Sequence, residues 1–259
     1  MKLTFIGIEN IPMVEPGDDL VALIVDAVHQ MGEEILDDDV LVVAQKIVSK
    51  SENRYLDLST VEPTVEAEVL AVKVDKDPRK VQAILDESNE VVRTREGVLI
   101  VEQKLGFVQA NAGIDQSNIS HEGDDEDLIC LLLPVDPDKS ARGIRDGIQA
   151  HLGTNVGVII NDSLGRAWRN GTVGLAIGVA GFTALENYIG DSDLFGRELV
   201  VTVVGAADEM AAGASLVMGQ TDQKTPVVLV RGYRPRDPDE PELAGVRPLI
   251  RNKATDLFR

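Results

Sequence analysis

Residues 156–178 read VGVIINDSLGRAWRNGTVGLAIG. The segment opens as an apolar, β-branched run of the kind buried in a sheet, turns polar at Asn161-Asp162-Ser163, and stays rich in arginine and glycine. A strand that ends on an acid and a hydroxyl places two oxygen donors where side chains emerge at a sheet edge and ligands collect. Taken singly, Asp162 is better explained as the cap of a turn or of a following helix.

The segments around this strand set the fold class. Upstream, PVDPDKSARGIRDGIQAHLG (134–153) supplies a turn, a helix and a glycine stop. Downstream come an expected strand, ELVVTVVGA (198–206), a small-residue helix, DEMAAGASLVMG (208–219), and a second strand, PVVLVRG (226–232). Nearer the N-terminus, GDDLVALIVDAVHQMG (17–32) spaces Leu20, Leu23, Ile24, Ala27, Val28 and Met31 as a helix, with Asp18 or Asp19 as cap and Gly32 as stop. Residues 39–44 read as a buried strand that runs out into polar Gln45, Lys46 and Lys50. In DPRKVQAILDES (77–88), Asp77 caps a helix with Pro78 in its first turn. GVLIVEQKLGFVQANAGID (97–115) reads as a hairpin turning at Leu105-Gly106. SHEGDDEDLIC (120–130) is an acidic loop, YRPRDPDEPE (233–242) a surface loop, and 243–259 a short helix pair. Early hairpins and late strand–helix–strand units make an α+β chain of mixed, largely antiparallel sheets with flanking helices. We expect one domain over 1–259, with a smaller lobe beginning near residue 70 or near 215.

Composition narrows the function. With 44 Asp and Glu against 25 Lys and Arg, the net charge is −19, and no basic stripe offsets it, so nucleic acid is not expected as a partner. The acids are spread along the chain, as suits a cytoplasm at molar salt, where the Debye length falls to about 3 Å, and point to a halophilic source. No run of eighteen apolar residues and no basic, apolar leader occurs, so neither a membrane span nor secretion is expected and the protein reads as cytoplasmic. The single cysteine, Cys130, sits in apolar LICLLL and reads as core.

Asp115, in NAGIDQSN, also follows an extended run; with Asp162 and Ser163 it offers the hard oxygen donors that suit magnesium or manganese. MGQTDQKTP (218–226) follows a helix and is able to cradle phosphate with backbone N–H groups, although a helix C-cap at Gly219 explains it as well. No GxxxxGK[ST] pattern occurs. His29, His121 and His151 lack metal-binding spacing, and Ser163 lacks the context of a hydrolase nucleophile. Trp168, between Arg166 and Arg169, is either a stacking surface for a planar ligand or a packing anchor, and the two arginines either hold an anion or bridge surface acids.

The stretches IENIPMVEPGDDL, VVAQKIVSKSE, VQAILDES, ANAGIDQSN, LLLPVDPDKSA, VGVIINDSLGRAWRNGTVGLAIG, FGRELVVTVV and DEMAAGASLVMGQ, in that order, resemble the coenzyme F420-0:L-glutamate ligases over nearly the whole chain. The resemblance implies an α+β fold forming an intertwined homodimer. It implies a GTP-dependent ligase that adds L-glutamate to the carboxylate of the deazaflavin F420-0, giving F420-1, and then a second glutamate through a γ-linkage, releasing GDP and phosphate. By the same resemblance two divalent cations, Mg2+ or Mn2+, are held by Asp115 and Asp162 and by Ser163 and Gln220, with K+ as a candidate monovalent ion. GTP is placed against Ile11, Pro12, Met13, Val14, Gln45, Lys46, Lys50, Asn118, Met218, Gly219, Gln220, Thr221, Asp222, Gln223, Lys224 and Thr225. Many relatives carry an acid at the position of Gln220 and hydroxyls at those of Gln45 and Lys46. Read from the residues alone, a metal-dependent phosphohydrolase and a non-catalytic deazaflavin- or nucleotide-binding module stay open.

Overall fold

The computed structural model describes residues 2–119, 128–236 and 245–257. In chain order the elements are β1 (Thr4–Ile8), α1 (Leu20–Gln30), β2 (Val40–Ala44), α2 (Gln45–Ser51), β3 (Tyr55–Asp57), α3 (Val65–Val74), α4 (Pro78–Asp86), β4 (Ser88–Arg95), β5 (Val98–Gln103) and β6 (Val108–Ala110). They continue with β7 (Ile129–Leu131), α5 (Pro137–Leu152), β8 (Gly157–Gly165), β9 (Thr172–Ala180), β10 (Glu186–Asn187), β11 (Val203–Val204), α6 (Ala206–Met218) and β12 (Val227–Arg231). The expected α+β class holds, with mostly antiparallel pairing.

A five-stranded sheet, ordered β1-β12-β2-β8-β9, forms the centre, and only β2 and β8 run parallel within it. Its strands read as continuous apolar runs because helices cover both faces. Leu41, Val43, Val158, Ile160, Val227 and Leu229 point to one face and pack with Ile24 and Val28 of α1 and Ala141, Ile144 and Ile148 of α5. The alternate residues Val40, Val42, Ile159, Val228 and Val230 point the other way, against Ala207, Met210, Ala211 and Ala214 of α6. The helices approach closely over glycine. A Cβ at Gly178 of β9 would lie 2.4 Å from the Pro137 carbonyl oxygen at the start of α5, and one at Gly174 would lie 2.4 Å from the Ala211 carbonyl oxygen of α6.

Helix starts follow the sequence signals. Asp19 accepts from the Val21 and Ala22 N–H groups, Asp77 from Arg79, and Asp136 from Lys139, while α4 and α5 each carry proline in the first turn. Gly153 ends α5 in the left-handed region at φ 73°. A separate apolar cluster joins Ala67, Ala71 and Val74 of α3, Val81 and Ile84 of α4, Leu99 and Val101 of β5, and Cys130, which is fully buried as expected. It is bordered by the sheets β4-β5-β6 and β3-β7. No helix of the described residues is long and apolar enough to cross a membrane.

Four expectations need correction. Residues 45–51 form α2 rather than an extended run-out, with Gln45 and Lys50 buried. The opening strand does not end at its polar turn: β8 continues through Asn161, Asp162 and Ser163 to Gly165 and pairs with β9, completing a hairpin. Of ELVVTVVGA only Val203 and Val204 are strand, paired with Glu186 and Asn187, and Val200 and Val201 are 69% and 78% exposed. With no wider sheet beside it, that apolar run has nothing to cover it among the described residues. Among the described residues the C-terminal helix pair is replaced by a single 3-10 turn at Arg247–Leu249, where Pro248 takes up the first turn. The acidic loop over 120–127, with His121, and the part of the surface loop over 237–242 lie outside the described residues.

Candidate active site

Strand polarity gathers the site at one end of the central sheet. β1, β2 and β8 all finish at this end, and β9 and β12 begin there, because β1 and β2 are antiparallel to β12, β2 is parallel to β8, and β9 runs back along β8. The Ala44 N–H donates to the Pro226 carbonyl across 2.8 Å, and Ala44 lies in register with Asn161, so the exits of β2 and β8 and the entry of β12 are side by side. Ligands settle at such carboxyl ends in open sheets.

A cleft of about 690 Å³ opens there. Its walls include every residue that the resemblance places at the metals or the nucleotide: Ile11–Val14, Gln45, Lys46, Lys50, Asp115, Asn118, Asp162, Ser163 and Met218–Thr225; Arg166, Trp168 and Arg169 do not line it. Ala44, Ile47, Ser117, Asn161 and Pro226 also line it and were not anticipated. Asn161 carried a signal, a polar residue in an otherwise apolar strand, and Ser117 stood two residues after an acid in a turn-like run.

Each wall is anchored by its own burial pattern. After β1, Ile11 and Val14 are buried while Pro12 and Met13 face outward, so two apolar anchors hold a short exposed segment at the rim. On α2, the Ser49 hydroxyl donates to Gln45 Oε1 across 2.9 Å, tying the buried amide to its own helix. Lys50 is only 3% exposed, and no carboxylate lies within ion-pair distance of it among the described residues. Burial lowers its pKa, the neighbouring Lys46 charge lowers it further, and Glu15 opposes both. A buried ammonium with this little compensation is suited to an anion.

Asp115 is held by backbone and side chain together. Its N–H donates to the Leu131 carbonyl and its carbonyl accepts from the Leu131 N–H, at 3.0 and 2.8 Å. Its carboxylate accepts from the Ser117 N–H and hydroxyl, each at 2.8 Å, and pairs with Lys46 Nζ at 2.8 Å. Burial alone pushes this carboxyl up, but the hydrogen bonds from Lys46 and Ser117, with the Lys46 charge, hold it below the ordinary carboxylate range. The Ser117 bond is an Asx turn, so the local reading of Asp115 is partly right, yet Asp115 also lines the cleft, with Oδ1 bonded to Ser117 and Oδ2 paired with Lys46.

Asp162 has the opposite environment. Burial pushes its carboxyl up to about 6; the N–H of Ser163, 2.8 Å from Oδ1, opposes this, the Asp115 charge adds to it, and Lys46 subtracts. The capping alternative fails, because Asp162 is mid-strand in β8 and no helix follows it. The two acids, far apart in sequence, therefore share one electrostatic field with Lys46 between them.

The loop after α6 is shaped by its glycine and by one amide. Gly219 adopts φ 72°, and a Cβ there would lie 2.3 Å from the folded-back Gln223 side chain. Gln223 Oε1 accepts from the Thr221 N–H at 2.9 Å, and the Thr225 hydroxyl donates to the Gln223 carbonyl at 3.1 Å. Asn118 Nδ2 reaches the Thr221 carbonyl at 3.4 Å, spanning the cleft from the Asp115 side. Gln220 is exposed in this loop.

The donor set fits hard divalent cations. Asp115 and Asp162 are two carboxylates, Ser163 a hydroxyl and Gln220 an amide, whereas no group of three or more His, Cys, Asp or Glu able to hold a metal occurs among the described residues. One or two carboxylates completed by water and phosphate oxygens is the usual magnesium arrangement. Trp168 is not the packing anchor that one reading allowed: it is 83% exposed.

Comparison with known proteins gives the family of the chain. The family model described as F420-0:gamma-glutamyl ligase matches residues 8–232. Over the full length of both chains the sequence is 44% identical to the coenzyme F420:L-glutamate ligase of Methanothermobacter thermautotrophicus. It is 46% identical to that of Methanocaldococcus jannaschii over 87% of this chain and 86% of the relative. To that of Haloarcula marismortui it is 42% identical over 98% of this chain and 94% of the relative. On the span of the family match and on these identities along the whole chain, the protein belongs to the F420-0:gamma-glutamyl ligase family.

Proposed function

We propose that this chain, as one catalytic domain, is a GTP-dependent ligase that joins L-glutamate to F420-0 and then adds a second glutamate to F420-1 through a γ-linkage. The observation that carries the reading is the convergence of Asp115, Asp162 and Ser163 with Lys46, Lys50 and the 218–225 loop in one cleft, within a chain of this family. A carboxylate is a poor acylating agent. Its attack on the γ-phosphate of GTP forms an acyl phosphate and releases GDP; the glutamate amine then attacks the acyl carbon, and phosphate leaves as the amide forms. Phosphoryl transfer of this kind depends mainly on positioning and charge neutralisation.

Asp115 and Asp162, and Ser163 with Gln220, would hold two divalent ions, Mg2+ or Mn2+, which when bound supply that neutralisation. Lys50 and Lys46 contribute fixed positive charge in a molecule whose net charge of −19 repels GTP. Ile11–Val14, Gln45, Asn118 and the 218–225 loop take the nucleotide. We also read the protein as a cytoplasmic enzyme of a halophile, acting as an intertwined homodimer. The exposed apolar run that includes Leu194, Phe195, Val200 and Val201 is the surface that a second copy would cover.

Incubation with F420-0, GTP, L-glutamate and manganese in concentrated KCl, followed by mass analysis, tests the reading. One or two glutamates added with stoichiometric GDP is the expected result. GDP and phosphate released without any glutamylated product would identify a phosphohydrolase instead.

A further inference from the structure

The loop closing the β8–β9 hairpin, residues 166–171, has no part in the assignments above. It carries Trp168, the sole tryptophan of the chain, 83% exposed and held at φ 64°. A bulky residue in the left-handed region costs on the order of 1–3 kcal/mol, and such strain persists only where the surroundings fix it. Here the turn is braced by Arg166 Nη1, which donates to the Gly171 carbonyl at 2.9 Å, and Gly171 itself sits at φ 84°. Neither Arg166 nor exposed Arg169 has a carboxylate within ion-pair distance among the described residues. Arg79, Arg231 and Arg236, by contrast, each hold an aspartate at 2.6–2.7 Å. In a chain with 44 acids, two arginines without an ion pair among the described residues, beside an outward-facing indole, are an available anion site next to a flat apolar plate.

The position of the loop indicates which ligand it meets. In the sheet order β1-β12-β2-β8-β9, the segments read as nucleotide contacts leave β1 and β2 or lead into β12, with Asn118 reaching the last of these from beyond β6, whereas this loop joins β8 to the edge strand β9. Asp162 and Ser163 lie between the two sides. Gly165, the last residue of β8, follows Ser163 by two residues, about 7 Å of strand, so the loop stands just beyond the reacting centre, on the side away from the triphosphate segments.

We propose that this loop recognises the acceptor: the Trp168 indole stacks on the planar deazaflavin, and Arg169, aided by Arg166, pairs with its phosphate. The proposal rests on the ligase reading and assigns the acceptor half of its site. Stacking of an aromatic side chain on a base is worth about 1–3 kcal/mol, roughly a tenfold to hundredfold effect on affinity.

The test compares wild type, Trp168→Ala, Trp168→Phe and Arg169→Gln by calorimetric binding of F420-0 alone, by KM for F420-0 and for GTP, and by solution mass. Trp168→Ala is expected to weaken F420-0 about tenfold or more, with Trp168→Phe recovering most of the loss and KM for GTP unchanged. Arg169→Gln should weaken F420-0 and flatten the salt dependence of its binding. An unchanged affinity for F420-0 in Trp168→Ala, an equal rise in KM for GTP, or a change in solution mass in place of an affinity loss would overturn the proposal. If wild type binds F420-0 in a Trp168-dependent way but never glutamylates it, the ligase reading fails and the recognition site stands; if wild type does not bind it, both fail.

Discussion

Asp162 and Asp115 are the same residue type in one cleft, yet burial pushes Asp162 up to about 6 while Lys46 and Ser117 hold Asp115 low. On the proposed reading a cation completes Asp162, which has fewer partners of its own than Asp115. Asp162→Asn should reduce glutamate-dependent GDP release about a hundredfold or more by weakening that cation, the range expected when an ion's own ligand is removed being at least that of its supporting shell. Its melting temperature should stay near that of wild type, since Asn also accepts the Ser163 N–H. A different acid sets a stability prediction. The same oxygen of Asp138 accepts the N–H groups of Val179 and Val246, at 2.8 and 3.0 Å, tethering the segment after residue 244 to β9, and burial raises its pKa. With the folded pKa above the unfolded one, the stability this group contributes is greatest below the ordinary carboxylate pKa and declines as pH rises through its raised value. Asp138→Asn, which keeps the acceptor and cannot ionise, should flatten that part of the stability–pH curve. Asp138→Ala, leaving two N–H groups without an acceptor, should cost about 1–3 kcal/mol in denaturant melts. Sequence alone pointed to Asp162 and Ser163 because a polar pair interrupts an apolar run. It did not reach Asn161, whose burial at 4% depends on Gly174 and Met218, residues brought beside it only by β9 and α6.

At the scale of elements, α1, α4 and α5 were legible because cap and apolar spacing agreed, joined in α4 and α5 by a first-turn proline. Helix α3 was not, since its valines mislead: Val65, Val69 and Val72 are exposed, and the buried face is Ala67, Ala71 and Val74. Residues 198–206 have strand composition but almost no strand, because pairing partners are a tertiary property. Helices α5 and α6 press on opposite faces of β9 at Gly178 and Gly174, where any side chain meets backbone oxygen at 2.4 Å. Gly178→Ala and Gly174→Ala should each destabilise by about 1–3 kcal/mol, the cost of overpacking a filled interior, and a chemical melt reads this directly. Gly174→Ala should in addition lower activity in the folded enzyme, since its Cβ would also lie 2.7 Å from Asn161 Oδ1, the neighbour of Asp162.

For the whole molecule, a charge of −19 implies self-repulsion that salt relieves. The melting temperature should rise steadily between 0.1 and about 2 M KCl, well past the range where screening is already complete for neutral proteins; a flat profile would sink the halophile reading. The apolar surface at Leu194 and Phe195, 99% and 94% exposed, sets the assembly prediction. Leu194→Asp with Phe195→Asp should convert the proposed dimer to a species of 28.0 kDa by light scattering while secondary structure by circular dichroism stays unchanged. The cleft, by contrast, is a property of the single chain, and its walls run from Ile11 to Pro226. On a ribosome, its first wall is made early and its last only when nearly the whole chain has emerged. If the cleft takes GTP as proposed, a nascent or truncated chain cannot hold it in this way, and cellular GTP would stabilise the finished fold without trapping its precursors. Saturation at a hundredfold excess over Kd would add about 2.7 kcal/mol to the complete protein and nothing to a fragment ending before β12.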